Sequence, residues 1–215
     1  NRYHMFNGYQ QHDAYDFICC LFNIINDDID TINKDTNLFS IFSFDLESKV
    51  KCKLENCLNC NKTAIKELIL NLTLENSLEE SLKILTMREL IINEYKCDKC
   101  SQKTVSSKRL KIINLSNNLI ICLKRFNCIN GQCIKLNNKI KIPFEIYIND
   151  NNKIYKYILH GFIIHSGSYN SGHYIYIGYV NNEWFMFNDN IVSKINNNLE
   201  DMLSNSYCLY YKKIN

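Results

Sequence analysis

One proline, Pro143, and six glycines in 215 residues leave the chain few positions that force a break. No Pro/Ser-rich linker divides it and no internal repeat runs through it, which argues for one domain rather than a string of modules. No apolar run approaches the ~18 residues that a membrane span needs, and no signal-peptide core is present. Lysines and arginines form no long run, and a net charge of +3 is too mild for a nucleic-acid surface. Neither a membrane nor nucleic acid is therefore expected as a partner.

The glycines that do occur are unevenly placed. Four of the six fall between 161 and 178, in KYILHGFIIHSGSYNSGHYIYIGYV. A hydrophobic content of 46% with 12% aromatics is enough for a core. DAYDFICCLFNII (13–25) puts Ala14, Phe17, Ile18, Leu21 and Ile25 at helical spacing. That predicts a buried amphipathic helix, with Asp13 as its N-cap or first-turn acid. Alternation in KVKCKL and AIKELILNLTL predicts strands between 38 and 75. ENSLEESLKILTMREL (75–90) returns to helical spacing, with Ser77 and Glu80 as a capping box. KRLKIINLSNNLIICLKRF, HYIYIGYV, EWFMFND and SYCLYYKK read as strands to the end. Helices near the N-terminus followed by a largely antiparallel half make an α+β fold.

Eleven cysteines, an odd number with two C-x-x-C pairs, fit metal ligation in a reducing compartment better than a secreted disulfide scaffold. An intracellular site, cytoplasm or nucleus, is expected. Cys57 and Cys60, with Cys97 and Cys100, form two knuckles, and two knuckles complete a tetrahedral four-thiolate site for one structural Zn2+. Four free thiols, or a site that has lost its metal, is the other reading, and Cys52 stands near enough to replace a ligand. A zinc ribbon can bind nucleic acid, but these knuckles are flanked by mixed charge without a basic-aromatic face. Cys122, Cys128, Cys133 and Cys208 have no partner spacing and are expected to pack or lie on the surface. Cys19 and Cys20 are expected to pack within the first helix.

Ser-Gly-His-Tyr places His173 at the start of a strand, straight after the glycine-rich loop. Small residues there would let a substrate backbone approach the imidazole. Asn188 and Asp189 close the next strand, and a hairpin would bring one of them to the ring to hold its tautomer. An imidazole so oriented, with no metal partner, suits a general base for a nucleophile. The competing reading is a core histidine satisfied by a backbone carbonyl. His160 and His165 lie outside the Gly-His-Tyr frame and read as structural or loop residues.

Taken in order, these blocks resemble the ubiquitin-specific proteases, the papain-like cysteine proteases that remove ubiquitin. HGFIIHSGSYNSGHYIYIGYV followed by EWFMFNDNIV resembles the family's histidine box, and YQQHDAYDF its Gln-x-Asp-Ala-x-Glu-Phe helix. The paired knuckles resemble its zinc-bearing fingers. LIICLKRF, then IKLNNKIKIPFEI, resembles its Leu-Lys-Arg-Phe strand and the segment after it, and SYCLYYKK its last strand. The resemblance covers nearly the whole chain. It implies a thumb remnant in 1–36, zinc-bearing fingers with an inserted helix in 37–110, and a β palm with the histidine box in 111–215. It implies that His173 is the general base, that Asn188 orients it, and that Asp189 assists or replaces Asn188. Gln11, Asp13 and Asp16 would receive the arginine-bearing C-terminal tail of ubiquitin, with Tyr174 lining the channel over its Gly-Gly. Asp16 is one methylene shorter than the family's Glu. Without the resemblance, the two acids read as helix-start electrostatics. The implied partners are ubiquitin and ubiquitinated proteins, met by a monomer.

The family's nucleophile lies upstream of the Gln-x-Asp-Ala helix, and residues 1–12 hold no Cys. Cys19 and Cys20 are poor substitutes, being inside a helix rather than at a helix start beside a Gly-rich turn. The expectation is a deubiquitinating peptidase domain whose thiol comes from an upstream segment. A catalytically silent ubiquitin-binding module is the alternative, and a zinc-dependent adaptor that ignores ubiquitin a third.

Overall fold

Asp13 starts the first helix. Its carboxylate accepts the Tyr15 N–H at 2.7 Å, and its carbonyl accepts the first helical bond, from Phe17 N–H. In this computed structural model, which describes residues 6, 8, 10–32, 39–57, 59–129, 131–150 and 153–214, the helix α1 spans Ala14–Ile32. It is longer than the apolar spacing predicts, and only half buried. Ala14, Tyr15, Ile18, Cys19 and Phe22 pack inward, whereas Phe17 and Leu21 are 51% and 42% exposed. The proposed boundary at 36/37 lies outside the described residues.

A short helix α2 (Phe39–Phe42) leads into β1 (Phe44–Cys52), β2 (Cys60–Glu67) and β3 (Ile69–Leu72). Helix α3 (Leu78–Thr86) follows, capped by Ser77, whose hydroxyl accepts the Glu80 N–H at 3.1 Å. It is shorter than its apolar spacing predicts, because Glu89–Ile91 leaves the helix to become strand β4. Then come β5 (Ser106–Ile113), β6 (Asn118–Leu123), the hairpin β7 (Phe126–Ile129) and β8 (Gln132–Lys135), β9 (Glu145–Asp150) and β10 (Lys153–Gly167). The chain ends with β11 (Gly172–Val180), β12 (Glu183–Asn188), β13 (Ile191–Lys194), helix α4 (Leu199–Ser204) and β14 (Ser206–Ile214).

Strands β2-β1-β5-β4 make a four-stranded sheet, and β13-β12-β11-β10-β14-β6-β3 the large one, with β9 added on β10. Pairing is antiparallel except for β3 on β6. Strand β3 therefore joins the large sheet although it lies inside 37–110. Alternation along the strands gives this sheet two apolar faces. Ile69, Ile120 and Cys208 face α1, joined by Tyr207 where a register shift against Ile163–Ile164 interrupts the alternation, while Leu70, Ile121, Leu209 and Tyr211 face the main core with α3. The sheet is thus a wall between the two helices.

Two features depart from the sequence reading. Cys122 and Cys208, expected to have no partner, form a disulfide, and so do Cys128 and Cys133. Sequence spacing cannot reveal this, because the strand register sets each pair directly opposite, with Cα atoms 4.3 Å and 4.0 Å apart. Arg125, read only as part of Leu-Lys-Arg-Phe, is 2% exposed and donates to the carbonyls of Ser206, Leu136, Asn138 and Ser204. It binds the chain just after β6 to the end of α4 and to the segment after β8, satisfying four carbonyls with one side chain.

Candidate active site and cysteine cluster

Asn181 and Asn182, both at positive φ, make the two-residue turn between β11 and β12, with Val180 paired to Glu183. That turn sets the register. Carried one step past the last pair, Tyr176 with Phe187, it brings Asn188 level with Ile175. His173, two residues earlier, then lies on the same face and diagonally within reach. His173 Nε2 is 2.6 Å from Asn188 Oδ1. An amide oxygen only accepts, so Nε2 carries the proton and Nδ1 keeps its lone pair for a proton from elsewhere. Asp189 Oδ2 lies 3.8 Å from Nε2, and its residue is at φ +50 in the turn after β12. Asn188 is therefore the primary partner of the ring and Asp189 the outer one.

The glycines of the adjoining β10–β11 hairpin, where Gly167 pairs with Gly172, serve the protein's own packing. Gly167 has φ +122, and a Cβ on Gly172 would meet the Ser166 carbonyl at 2.4 Å and the His165 ring at 2.1 Å. Space expected for a substrate backbone is filled by His165 at this position. That ring packs at a tilt against Tyr174, centroids 4.6 Å apart, and meets Phe126 edge-on at 5.4 Å. Burial, then the Lys135 charge, hold its pKa below the ordinary histidine value, so it stays neutral.

A cleft of about 820 Å³ opens between the start of α1 and this hairpin, and Gln11, Asp13, Asp16, His173, Tyr174 and Asp189 all line it. Gln11 Oε1 accepts the Gly172 N–H at 3.0 Å, tying the segment before α1 to the loop before His173. Asp13 has both oxygens engaged. Tyr174 donates to Oδ2 at 3.0 Å, and Tyr207 donates to Oδ1 at 2.8 Å beside the Tyr15 N–H. Burial first, and the Asp13 charge second, push both tyrosines well above their ordinary pKa, so they remain donors. Asp13 thus locks α1 to β11 and β14, and Asp16 is the exposed carboxylate of the pair. Tyr207 was missed by the sequence reading. It lies 194 residues from Asp13, and no local pattern marks it. Among the described residues no cysteine lines the cleft.

Partial desolvation first, then the Asp13 charge, raise the Asp16 carboxyl above its ordinary 3.8. A raised folded-state pKa means that the native chain holds this proton more tightly than the unfolded chain. The stabilisation is complete below pH 3.8 and is lost as pH rises through the folded value. Asp16→Asn is therefore expected to raise Tm at pH 7 by about 1 °C, small because the group is exposed. The gain should vanish near pH 3, as thermal melts at the two pH values will show.

In the four-stranded sheet, Lys51 pairs with Cys60, and Cys52 takes the next position, its N–H donating to the Asn59 carbonyl. Alternation therefore points Cys60 to the exposed face and Cys52 to the buried one. The sulfurs of Cys52, Cys57, Cys97 and Cys100 all lie within 4.8 Å of one another, with Cys57 and Cys97 at 3.6 Å. This corrects the expected set: Cys52 takes the place of Cys60. Zn–S bonds of ~2.3 Å in a tetrahedron set sulfurs about 3.8 Å apart, so the cluster fits a metal ion. The Cys100 N–H, helped by the Lys99 N–H, the Cys57 side chain and the Asn59 amide, holds the Cys97 thiol down to about 6.

The family model described as ubiquitin carboxyl-terminal hydrolase matches residues 1–211. Ubiquitin carboxyl-terminal hydrolase 8 of Saccharomyces cerevisiae is 29% identical over 239 residues, covering 95% of this chain and 50% of that protein. Ubiquitin carboxyl-terminal hydrolase 16 of Arabidopsis thaliana is 31% identical over 198 residues, covering 84% and 19%. The SAGA Ubp8/Sgf11/Sus1/Sgf73 DUB module bound to ubiquitin aldehyde shares the fold with a TM-score of 0.85 at 28% identity, over 99% of this chain and 52% of that one. The chain thus spans about half or less of these relatives. With the matched model running nearly end to end and the fold in common, the chain belongs to the ubiquitin carboxyl-terminal hydrolase family.

Proposed function

We propose that this chain carries the base, the tail-binding wall and the metal-braced fingers of a cysteine deubiquitinase, its attacking thiol supplied by residues outside the sequence. The observation that carries this is the 2.6 Å contact of His173 Nε2 with Asn188 Oδ1 at the mouth of the cleft. With Nε2 held as donor, Nδ1 takes the proton of the thiol. The thiolate attacks the carbonyl carbon of ubiquitin's terminal Gly, and His173 passes its proton to the leaving lysine amine. His173 then takes a proton from water, which attacks the thioester and frees the carboxylate and the thiol. Gln11, Asp13, Asp16 and Tyr174 form the wall for the tail, and Asp16 is the carboxylate open to an arginine. Support for ubiquitin as substrate comes from the likeness to modules bound to monoubiquitin and to ubiquitin aldehyde.

Cys52, Cys57, Cys97 and Cys100 would hold one Zn2+. Such a closed four-sulfur site braces the fold, and no bond-breaking runs through it. On the same reading the chain works as a single copy in the cytoplasm or nucleus, compartments that would hold the Cys122/Cys208 and Cys128/Cys133 pairs as thiols. Among the described residues no helix is long and apolar enough to cross a membrane. The SAGA modules carry further subunits, so a partner-bound form is the alternative to the monomer.

The absence of a cysteine from the described lining of the cleft favours a second reading, a silent ubiquitin binder. A ubiquitin C-terminal amide reporter separates the two. The 215-residue chain alone should give no turnover, and the intact protein should hydrolyse the reporter and lose that activity to iodoacetamide. An intact protein that binds ubiquitin without turnover leaves only the binder.

A further inference from the structure

A second cleft, of about 710 Å³, lies between the four-stranded sheet, α3 and β9, and shares no residue with the first. Its helix packs on the main-core side of the large sheet, opposite α1. Lys49, Lys62, Lys83, Arg109 and Lys111 line it, against the two carboxylates Glu47 and Glu79. The register sharpens this excess of cations. Lys49 is directly opposite Lys62 on one side and Arg109 on the other, so three cations stand in a row across three strands.

Like charges directly opposite destabilise a sheet. Local neutralisation is incomplete here. Lys62 meets Glu47 at 3.4 Å, and Arg109 donates to the Thr86 carbonyl. The amines of Lys49 and Lys83 are exposed and have no partner among the described residues. The row is about 10 Å long, the span of three residues of extended chain. Beside it Leu82, Leu110, Ile148 and the 62% exposed Tyr147 supply apolar surface.

We propose that this cleft docks an extended acidic peptide segment of a partner protein, its carboxylates on the Lys62–Lys49–Arg109 row and Lys83, and an apolar side chain against Leu82 and Tyr147. A compact polyphosphate has no use for that apolar wall, whereas a peptide satisfies both surfaces. The site is independent of the proposed hydrolysis, since a partner here leaves the cleft with His173 open.

Fluorescence polarisation of the whole chain with a short fluorescein-labelled peptide of Glu and Asp around a central Leu tests this. Binding should weaken with added salt and be unaffected by free ubiquitin. Lys49→Glu with Lys83→Glu should weaken it about tenfold or more, because two attractive contacts become repulsive. The milder Lys49→Gln with Lys83→Gln should give a smaller loss in the same direction, and circular dichroism melts should show both variants folded. The proposal is overturned if the peptide does not bind, if a Gln/Asn version binds equally, or if neither folded variant weakens it. Tight binding of inositol hexakisphosphate in place of the peptide would overturn the choice of occupant.

Discussion

His173→Ala in the intact protein is expected to lower kcat/KM for a ubiquitin C-terminal amide by up to about 10⁴-fold, the upper end of what a positioned general acid–base contributes. Asn188→Ala should cost less, about 10²-fold, because the ring remains but loses the acceptor that holds Nε2–H. Asp189→Ala should cost least of the three, since its oxygen is 3.8 Å from the ring and its side chain is 77% exposed. Asn188→Ala combined with Asp189→Ala should exceed the sum of the two in log units, because the acid is the acceptor that takes over when the amide is gone. Steady-state kinetics across pH will check the order. If Asp189→Ala costs more than Asn188→Ala, the role given to the 2.6 Å contact is wrong. A His173→Ala protein with full activity would end the role of His173 as general base.

Cys52→Ser is expected to abolish stoichiometric zinc, while Cys60→Ser keeps it. In the structure only Cys52 turns its sulfur to Cys57, Cys97 and Cys100, whereas Cys60 opens β2 on the exposed face. Structural zinc contributes on the order of 10 kcal/mol of binding free energy, coupled to the order of the residues that hold it. Loss of one thiolate should therefore lower Tm by ten degrees or more, and a strong chelator should bring the unsubstituted protein down to the same value. Metal analysis beside melts of both variants is the direct measurement. Zinc retained by Cys52→Ser and lost from Cys60→Ser would restore the C-x-x-C knuckle as the ligand set.

Local patterns carried much of this molecule. Ser77 and Glu80 marked the start of α3, and Asp13 that of α1. The Gly-His-Tyr and Asn-Asp sequences marked both ends of the hairpin that forms the His173–Asn188 contact, because a two-residue turn and period-two alternation leave one register. What spacing could not convey was anything set by which strand lies beside which. The Cys122–Cys208 pair, the Arg125 carbonyl cage and the Tyr207 bond to Asp13 join residues 79 to 194 positions apart, except where Arg125 reaches Leu136 and Asn138.

By itself the chain's order of residues determined the α+β class, the family and the two residues that make the histidine contact, since each rests on turns, periods and motifs within a few residues. Tertiary structure decided that Cys52 rather than Cys60 joins the sulfur cluster, that Asp13 is committed to tyrosines and Asp16 is not, and that five cations share one cleft. Those outcomes depend on the face each side chain takes in a paired sheet, and a face is defined only once the partner strand is in place.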